Sequence, residues 1–173
     1  MHEEMRIFLG IGSNVGDRYS YMKQAIQQLD GHPHIWVVDR SHVYQSSPMY
    51  YTDQNDYYNM VVEIDTNLTP IDLLNEIKSI EKKVGRKPSI EKNRPREIDI
   101  DILSFGNMEI HSHVLEVPHP GISERKFVLK PWNDLAPEYT CPGFDSNIET
   151  MLDALENEEP VRMVLILDKE GTA

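Results

Sequence analysis

The apolar positions at the start of the chain predict a strand followed by a helix. Residues 7–11 form a short apolar run, and the glycine-rich segment 12–16 predicts a turn after it. Asp17 has the character of a helix N-cap, and Gly31 marks the end of that helix. Between them the apolar residues recur at helical spacing, at Met22, Ala25, Ile26 and Leu29.

The next part of the chain predicts two strands and a second helix. Residues 35–44 are strand-like, with Trp36 and Val38 on one face, and 57–65 form a second apolar strand after a loop of turn formers. Thr69 then precedes Pro70, which gives an N-cap with proline at the first helical position. An apolar stripe continues to Gly85 through Leu73, Leu74, Ile77, Ile80 and Val84.

The rest of the chain predicts a further strand, a hairpin, a short helix and a last strand. A strand begins at Asp99, and a Gly106-Asn107 turn predicts a hairpin with 110–117. A proline-rich stretch follows at 118–142, then a weakly patterned helix at 148–155 and a last strand at 161–167. The first six elements run strand, helix, strand, strand, helix, strand. We therefore predict an α+β fold, a ferredoxin-like βαββαβ sandwich with an antiparallel sheet and an extra C-terminal hairpin and helix.

A cluster of cations beside two aspartates is the main candidate for chemistry. The 15 residues from Lys82 to Arg96 carry 7 of the 17 Lys and Arg, although the formal net charge is -12. Asp99 and Asp101 follow on an apolar strand, where residues two apart point to the same face. Carboxylates bind hard cations, and guanidinium groups bind phosphate oxygens. The pattern is typical of a site for a metal-bound polyphosphate.

The same residues also fit a purely structural interpretation. Alternating Asp and Ile is typical of a half-buried edge strand, and runs of Lys and Arg are common in solvated loops. In both interpretations Ile98, Ile100 and Ile102 face the core. The Asp-x-Asp spacing alone leaves both alternatives open, and the neighbouring cations favour the metal site.

Composition excludes several classes of function. A net charge of -12 with one local basic cluster argues against broad nucleic-acid binding. Cys141 is the sole cysteine, which excludes a disulfide within the chain and a cysteine-based zinc site. The first residues lack the pattern of a signal peptide, and no apolar run reaches membrane-spanning length. We expect a cytoplasmic monomer without nucleic-acid or membrane partners.

The glycines near the start of the chain invite comparison with a nucleotide-binding motif. Gly10-x-Gly12 follows a strand and precedes a helix, but Gly16 comes one residue too late for G-x-G-x-x-G. We interpret this segment as a tight strand-to-helix turn with close backbone packing. No G-x-x-x-x-G-K-[ST] segment occurs, which excludes a P-loop nucleotidase.

The histidines offer one further candidate. The pairs at 32–34 and 111–113 have no further ligand nearby in sequence, and we interpret them as solvent-facing. His119 differs because prolines flank it on both sides and Arg125 follows shortly after. A loop braced in this way could add donors to a phosphate site.

Six segments of the chain together form a recognisable set of motifs, namely 9–17 (LGIGSNVGD), 44–48 (YQSSP), 56–59 (DYYN), 81–86 (EKKVGR), 95–103 (PREIDIDIL) and 117–129 (VPHPGISERKFVL). These segments resemble the 6-hydroxymethyl-7,8-dihydropterin pyrophosphokinase family of folate biosynthesis. They occur in the family's order between Ile7 and about Pro137, and the tail 138–173 carries little of the resemblance. We therefore predict a single pyrophosphokinase domain over 1–173, with its core at 7–137.

The resemblance implies an activity and a set of site residues. ATP would donate its terminal pyrophosphoryl unit to the hydroxymethyl oxygen of the reduced pterin, giving AMP and the pterin diphosphate. Two Mg2+ ions would bind Asp99 and Asp101, and Arg86 and Arg96 would be catalytic. The implied ATP-binding residues are Lys78, Glu81, Arg86, Arg96, His119 and Arg125. The implied pterin-binding residues are Ser46, Pro48, Met49, Tyr57, Asn59 and Phe127. The rings of Tyr57 and Phe127 would lie on either side of the pterin. Periodicity alone favours a core position for both of these rings.

Two positions depart from the family pattern, and two other functions remain open. Asn93-Arg94 stands where the family usually has Trp-Gly, and Pro88 stands where a second arginine is common. Both departures bear on how the basic loop closes over the substrates.

One alternative function is a ferredoxin-like regulatory module without chemistry. The other is a metal-dependent phosphohydrolase, which would share the aspartates but would not need an aromatic pterin slot.

Overall fold

The computed structural model describes residues 5–47, 55–88, 95–155 and 160–165. These ranges form a large antiparallel sheet, a small two-stranded sheet and the helices that pack on them. In chain order the elements are β1 (Ile7–Ser13), α1 (Arg18–Asp30), β2 (Ile35–Arg40), β3 (Val43–Ser46), β4 (Tyr57–Thr66), α2 (Pro70–Val84), β5 (Asp99–Phe105), β6 (Ile110–His111), β7 (Glu116–Val117), α3 (Lys126–Leu135), α4 (Ile148–Asp153) and β8 (Arg162–Leu165).

Strands β1 and β4 lie at the centre of the large sheet. β1 pairs with β5 on one side and with β4 on the other. β4 pairs with β3 along its first residues and with β2 along its last ones. β8 then extends the sheet beyond β3. All of these pairs are antiparallel, as the sequence predicts for this sheet.

Helices cover both faces of the sheet, so that the described residues form two hydrophobic cores. On one face, Leu9 and Ile11 of β1 pack with buried residues of α1 and α2. On the other face, Phe8 packs with α3, and its ring lies 5.2 Å from that of Trp132. Alternation along β1 therefore directs residues 9 and 11 to the first core and residues 8, 10 and 12 to the second face.

The ends of the first two helices agree with the predicted caps. The Asp17 carboxylate accepts a hydrogen bond from the backbone N–H of Ser20 at 3.0 Å. The Thr69 hydroxyl accepts one from the N–H of Asp72 at 3.2 Å. Gly85 follows α2 with φ of 128°, a conformation that favours glycine. Local capping chemistry thus fixes the bounds of α1 and α2.

The predicted strand 35–44 is divided into β2 and β3. Its residues at the break, Ser41 and His42, leave the regular ladder, and the pairing of β2 with β4 also shifts between Val37 and Asp39. At the break the Ser41 side chain acts as a hydrogen-bond acceptor for β4, because Val61 donates its N–H to Ser41 Oγ at 2.9 Å. Ser41 N–H in turn donates to the Val61 carbonyl at 2.9 Å. The break is a local irregularity of one edge of the sheet.

The predicted hairpin across Gly106 is wrong. Residues 110–117 do not form one strand paired with β5 but contain two short strands, β6 and β7, that pair with each other. Ser112 closes the turn between them, since its hydroxyl donates to the Leu115 carbonyl at 3.0 Å. Gly106 still makes a turn, with φ of 58°, at the end of β5.

Helix α3 lies within the proline-rich stretch, where the sequence analysis predicted no helix. Pro131 sits inside it and removes one helical hydrogen bond. Leu129 and Trp132 are nevertheless fully buried against the sheet, and burial of such side chains contributes on the order of 2–3 kcal/mol each. Tertiary packing therefore outweighs the local cost of the proline.

The tail forms the short helix and the last strand that the sequence predicts. Asn147 caps α4 by accepting the N–H of Thr150 at 2.9 Å, and β8 occupies the centre of the predicted strand 161–167. Within the described ranges, none of the helices is both long and apolar enough to cross a membrane.

Candidate active site at the centre of the sheet

Gly10 and Gly12 lie inside β1, so the interpretation of this segment as a turn was wrong. Gly12 pairs with Asn59 on β4 and with Asp99 on β5, and Gly10 pairs with Asp101 on β5. Directly paired residues project to the same face of a sheet. We call Gly10 and Gly12 the glycine floor, because they leave a stretch of sheet without side chains between Asn59 and the two aspartates.

A cleft opens above the glycine floor. Its walls come from the ends of β3, β4 and β5, from the segment before α3 and from the first turn of α3. The lining residues include eight of the residues implied by the family resemblance, namely Ser46, Tyr57, Asn59, Asp99, Asp101, His119, Arg125 and Phe127. The fold thus brings together residues that are up to about half the chain apart in sequence.

A second cleft adjoins the first and contains the remaining described candidates. Asp99, Asp101 and His119 line both clefts. The second cleft adds the cationic and acidic residues Lys78, Glu81, Arg86 and Arg96. Pro48 and Met49 lie outside the described residues. The two aspartates therefore stand where an aromatic cleft meets a charged one.

Tyr57 and Phe127 belong to the cleft and to neither hydrophobic core. Both side chains are half-buried and line the cleft, whereas the two core clusters of the described residues are built from other side chains. Burial, followed by the charge of Asp99, raises the pKa of the Tyr57 hydroxyl. The core position that periodicity favours for these two rings is therefore wrong.

Asp99 and Asp101 form a pair of like charges on β5. Residues two apart in a strand are separated by roughly 7 Å along it. Burial first, and then the charges of Asp99 and Glu81, raise the pKa of the Asp101 carboxyl, although Arg125 and Arg86 oppose this. A divalent cation would relieve the repulsion, so the pair fits a metal such as Mg2+.

The two aspartates would supply only part of a coordination shell. The described residues contain no group of three or more His, Cys, Asp and Glu side chains arranged to hold a metal. Mg2+ commonly binds through one or two carboxylates and completes its octahedron with waters and substrate phosphates. The donor set therefore fits a metal that arrives with a phosphate ligand.

Glu81 is a buried carboxylate that joins α2 to β5. It is 4% exposed, and its Oε2 accepts the N–H of Ile100 at 2.9 Å and an Nη1–H of Arg86 at 2.5 Å. Desolvation raises the pKa of Glu81, while the Ile100 N–H and Arg86 lower it. The carboxylate thus fixes the direction in which Arg86 extends.

His119 stands at the junction of the clefts as a hydrogen-bond donor. Its backbone N–H bonds to the Leu103 carbonyl at 2.9 Å, and its Nδ1 accepts the N–H of Gly121 at 3.2 Å. Burial, followed by the charge of Arg125, lowers the His119 pKa. A neutral ring that accepts at Nδ1 carries its proton on Nε2, which leaves that atom able to donate.

Comparison with known proteins identifies the family. Residues 8–137 match the model of 7,8-dihydro-6-hydroxymethylpterin-pyrophosphokinase (HPPK). The chain belongs to the HPPK family. This confirms the resemblance that the six sequence segments indicated.

Curated HPPK relatives differ in how much of their length this chain spans. The chain is 39% identical over 157 residues to a 2-amino-4-hydroxy-6-hydroxymethyldihydropteridine pyrophosphokinase of Methylorubrum extorquens, covering 90% of this chain and 94% of that protein. It is 38% identical over 151 residues to the folic acid synthesis protein fol1 of Schizosaccharomyces pombe, covering 87% of this chain and 20% of that protein. The chain thus spans about a fifth of the fol1 protein.

The fold is similar to that of a crystallised HPPK-DHPS protein. The structure of Plasmodium falciparum HPPK-DHPS with pterin and p-hydroxybenzoate matches with a TM-score of 0.73 at 16% identity, covering 96% of this chain and 47% of that one. At that identity the likeness concerns the fold alone. The chain spans about half of that HPPK-DHPS protein.

Sequence reasoning missed two contributors to the site of this HPPK chain. One is the glycine floor, which was interpreted as a turn. The other is Asn14, which is fully buried and whose Oδ1 accepts the N–H of Arg96 at 2.8 Å. Asn14 N–H also donates to the Arg96 carbonyl at 3.1 Å. The signal for Asn14 was a polar residue directly after a buried strand, where side-chain bonds to other backbone segments are common.

Proposed function

We propose that this chain transfers the pyrophosphoryl group of ATP to the hydroxymethyl group of 6-hydroxymethyl-7,8-dihydropterin, giving AMP and the pterin diphosphate for folate biosynthesis. The observation that carries the proposal is the position of Asp99 and Asp101 at the junction of the two clefts. A flat heterocycle in the aromatic cleft and a polyphosphate in the charged cleft would meet at these carboxylates. Membership of the HPPK family supports the same reaction.

The proposed reaction is an in-line displacement at phosphorus. The hydroxymethyl oxygen attacks the β-phosphorus of ATP, the bond from that phosphorus to the α,β-bridging oxygen breaks, and AMP leaves with the bridging oxygen. The hydroxyl proton passes to solvent. Such transfers depend on positioning and charge neutralisation rather than on covalent help from the protein. We assign no side chain as general base.

Asp99 and Asp101 would hold two Mg2+ ions, which supply positive charge to the phosphates when they are bound. Arg86 and Arg96 are proposed to stabilise the charge that develops on the transferred group. Arg125 and the Nε2–H of His119 would also bind phosphate oxygens. Lys78 and Glu81 lie on α2 at the charged cleft and are proposed to lie near the nucleoside.

The pterin is proposed to lie in the aromatic cleft. Tyr57 and Phe127 would stack on its two faces, an arrangement that contributes about 0.5 to 1.5 kcal/mol per pair beyond burial. Asn59 and Ser46 would bind its polar edge, together with Pro48 and Met49 of the neighbouring segment. Asn59 Nδ2 lies 3.4 Å from Ser46 Oγ, so each side chain helps to orient the other.

The strand order supports a ferredoxin-like fold with C-terminal additions. β5, β1 and β4 are adjacent, with β2 and β3 beyond β4, which is the order of a split βαβ arrangement. We propose one pyrophosphokinase domain over 1–173, because β8 joins the same sheet and α4 packs in the same core as α3. We also propose that the protein acts in the cytoplasm as a monomer.

One assay separates this function from the two alternatives. The protein is incubated with ATP and Mg2+, with and without 6-hydroxymethyl-7,8-dihydropterin, and the nucleotides are separated by chromatography. AMP that appears only with the pterin supports the proposal. Nucleotide breakdown without the pterin would instead indicate a phosphohydrolase. No turnover and no Mg2+-dependent ATP binding would indicate a regulatory module.

A further inference from the structure

We propose that Gly12 is a positioning residue for the substrate: its missing side chain leaves the space in which the Asn59 amide lies when it binds the pterin edge. This inference rests on the proposed function, and it assigns a role to the glycine floor. Asn59 and Gly12 are direct partners across β4 and β1, and both line the aromatic cleft.

The spacing at Gly12 is too small for any side chain while Asn59 keeps its position. A Cβ built on Gly12 would lie 2.6 Å from Asn59 Oδ1, which is well inside van der Waals contact. Its next neighbour outside the Asn59 side chain would be the Tyr58 carbonyl at 3.6 Å, an ordinary contact. A methyl group at position 12 therefore conflicts with the end of one rotatable side chain and not with the backbone.

A displaced Asn59 amide would lose its function without unfolding the sheet. A carboxamide offers one acceptor and two donors, and it can pair with a heterocycle edge only in one orientation. In the present orientation Nδ2 also lies 3.4 Å from Ser46 Oγ on β3. Rotation of the amide away from a methyl group would break its pairing with the pterin edge and its contact with Ser46, whereas β1 and β4 would stay paired.

Gly12 also lies between the two groups that the substrate has to contact at the same time. Gly12 lies between Asn59 on one neighbouring strand and Asp99 on the other. Adjacent strands are about 4.8 Å apart, so the edge-binding amide and the carboxylate are separated by roughly 10 Å. A substrate held at Asn59 whose hydroxymethyl group reaches Asp99 has to cross β1 at Gly12.

Gly10 provides a matched comparison on the same floor. A Cβ at Gly10 would lie 3.3 Å from a terminal methyl carbon of Leu103, an apolar neighbour that can give by a few tenths of an ångström. Gly10→Ala therefore adds the same methyl group to the same strand and face without meeting Asn59.

The test compares Gly12→Ala with Gly10→Ala. Each variant is titrated with 6-hydroxymethyl-7,8-dihydropterin in the presence of Mg2+ and a non-hydrolysable ATP analogue, and separately with the analogue alone. We expect Gly12→Ala to weaken pterin binding at least tenfold, with unchanged affinity for the analogue and a melting temperature close to wild type. Gly10→Ala should cause a clearly smaller loss. Equal losses in both variants, or a Gly12→Ala protein with wild-type pterin affinity, would overturn the proposal.

A double mutant shows whether the effect passes through Asn59. In an Asn59→Ala background the methyl group at position 12 has no amide to displace, so Gly12→Ala should change pterin affinity less than twofold. A full tenfold loss in that background would mean that the methyl group obstructs the substrate directly, and the positioning role would be wrong. If wild type itself neither binds the pterin nor forms AMP, the proposed function fails instead, and the two failures are distinguishable.

Discussion

Arg86 is held between two carboxylates, with its Nη1 donating to Asp99 Oδ1 at 3.1 Å and to the buried Glu81. Burial lowers the Arg86 pKa, but the charges of Glu81 and Asp99 outweigh it, so the pKa is raised. Asp99 thus lies beside an arginine and also beside the Asp101 carboxyl, whose pKa is raised. The arginine that we propose to act on the phosphates is therefore anchored directly beside a proposed metal ligand.

Asp99→Asn and Asp101→Asn should each abolish turnover while the fold remains intact. Each change removes a hard anionic ligand from the face of β5 opposite to Ile100 and Ile102, which pack in the core under α1 and α2. Asp101→Asn also removes a carboxyl whose pKa is raised by burial and by the charges of Asp99 and Glu81, which costs stability at neutral pH, so its melting temperature should be at least that of wild type. Steady-state AMP formation and thermal unfolding check the two parts. Near wild-type activity of either variant at ordinary Mg2+ concentration would refute the metal assignment.

Arg96→Ala should slow the chemical step more than it weakens ATP binding. The backbone of Arg96 is fixed by two hydrogen bonds to Asn14, which suits a contact to charge that grows during the transfer. Such contacts commonly contribute about 3 kcal/mol, equivalent to a loss of roughly a hundredfold in kcat. Single-turnover rates and ATP affinity measured on the same preparation separate the two effects.

Alanine variants of Lys92 and Arg94 are the comparison for Arg96. These cations belong to the same basic stretch but lie outside the described residues, and we expect them to matter less. A larger loss of kcat in Lys92→Ala or Arg94→Ala than in Arg96→Ala would show that the catalytic arginine has been placed wrongly. A change confined to the ATP affinity of Arg96→Ala would also contradict its role.

Phe127→Ala should weaken pterin binding by roughly tenfold or more and leave ATP binding nearly unchanged. The ring lines the aromatic cleft at the start of α3 and takes no part in the core clusters of the described residues. Calorimetric titration of each ligand measures the effect. Trp132→Ala is the matched control, because Trp132 is a fully buried aromatic of the same helix and its loss should cost about 3–5 kcal/mol of stability. A Phe127→Ala protein as unstable as Trp132→Ala would mean that Phe127 is a core residue.

Cys141 should react with thiol reagents only when the protein unfolds. Its side chain is buried in the core formed by α3 and α4, and desolvation raises the thiol pKa to about 12. The thiolate is the reactive form, so labelling at neutral pH requires an opening of this core. Labelling with a chromogenic disulfide should be slow in buffer and stoichiometric in denaturant. Rapid labelling of the native protein would contradict the burial of Cys141 in this core.

Local chemistry made much of the fold predictable from sequence. The caps at Asp17 and Thr69 and the apolar stripes of α1 and α2 depend on neighbours within a few residues, and the structure has them as predicted. Helix α3 was missed because Pro131 is locally unfavourable and the helix is stabilised by contacts of Trp132 with a strand more than a hundred residues away. Non-local burial of that kind leaves only a weak pattern in the sequence.

The site was predictable to the extent that its residues carry charge or match a family motif. The Asp pair and its neighbouring cations stand out in an acidic chain, and in the structure Asp99 and Asp101 lie where the two clefts meet, with Arg86 and Arg96 in the charged cleft. Gly12 could not be placed because a glycine before a helix usually signals a turn, and its role depends on which residues the adjacent strands set opposite it. Asn14 was missed for the same reason, since its partner Arg96 follows 82 residues later.

The central claim is tested most directly by following each phosphorus of ATP. The protein is incubated with Mg2+, 6-hydroxymethyl-7,8-dihydropterin and ATP radiolabelled separately at the α, β and γ positions, with Asp101→Asn as the inactive control. Our account predicts that the α label appears only in AMP and that the β and γ labels appear together in the pterin product, with none of these products from Asp101→Asn. Transfer of the γ label alone, with ADP as the second product, or release of label as free phosphate would contradict it.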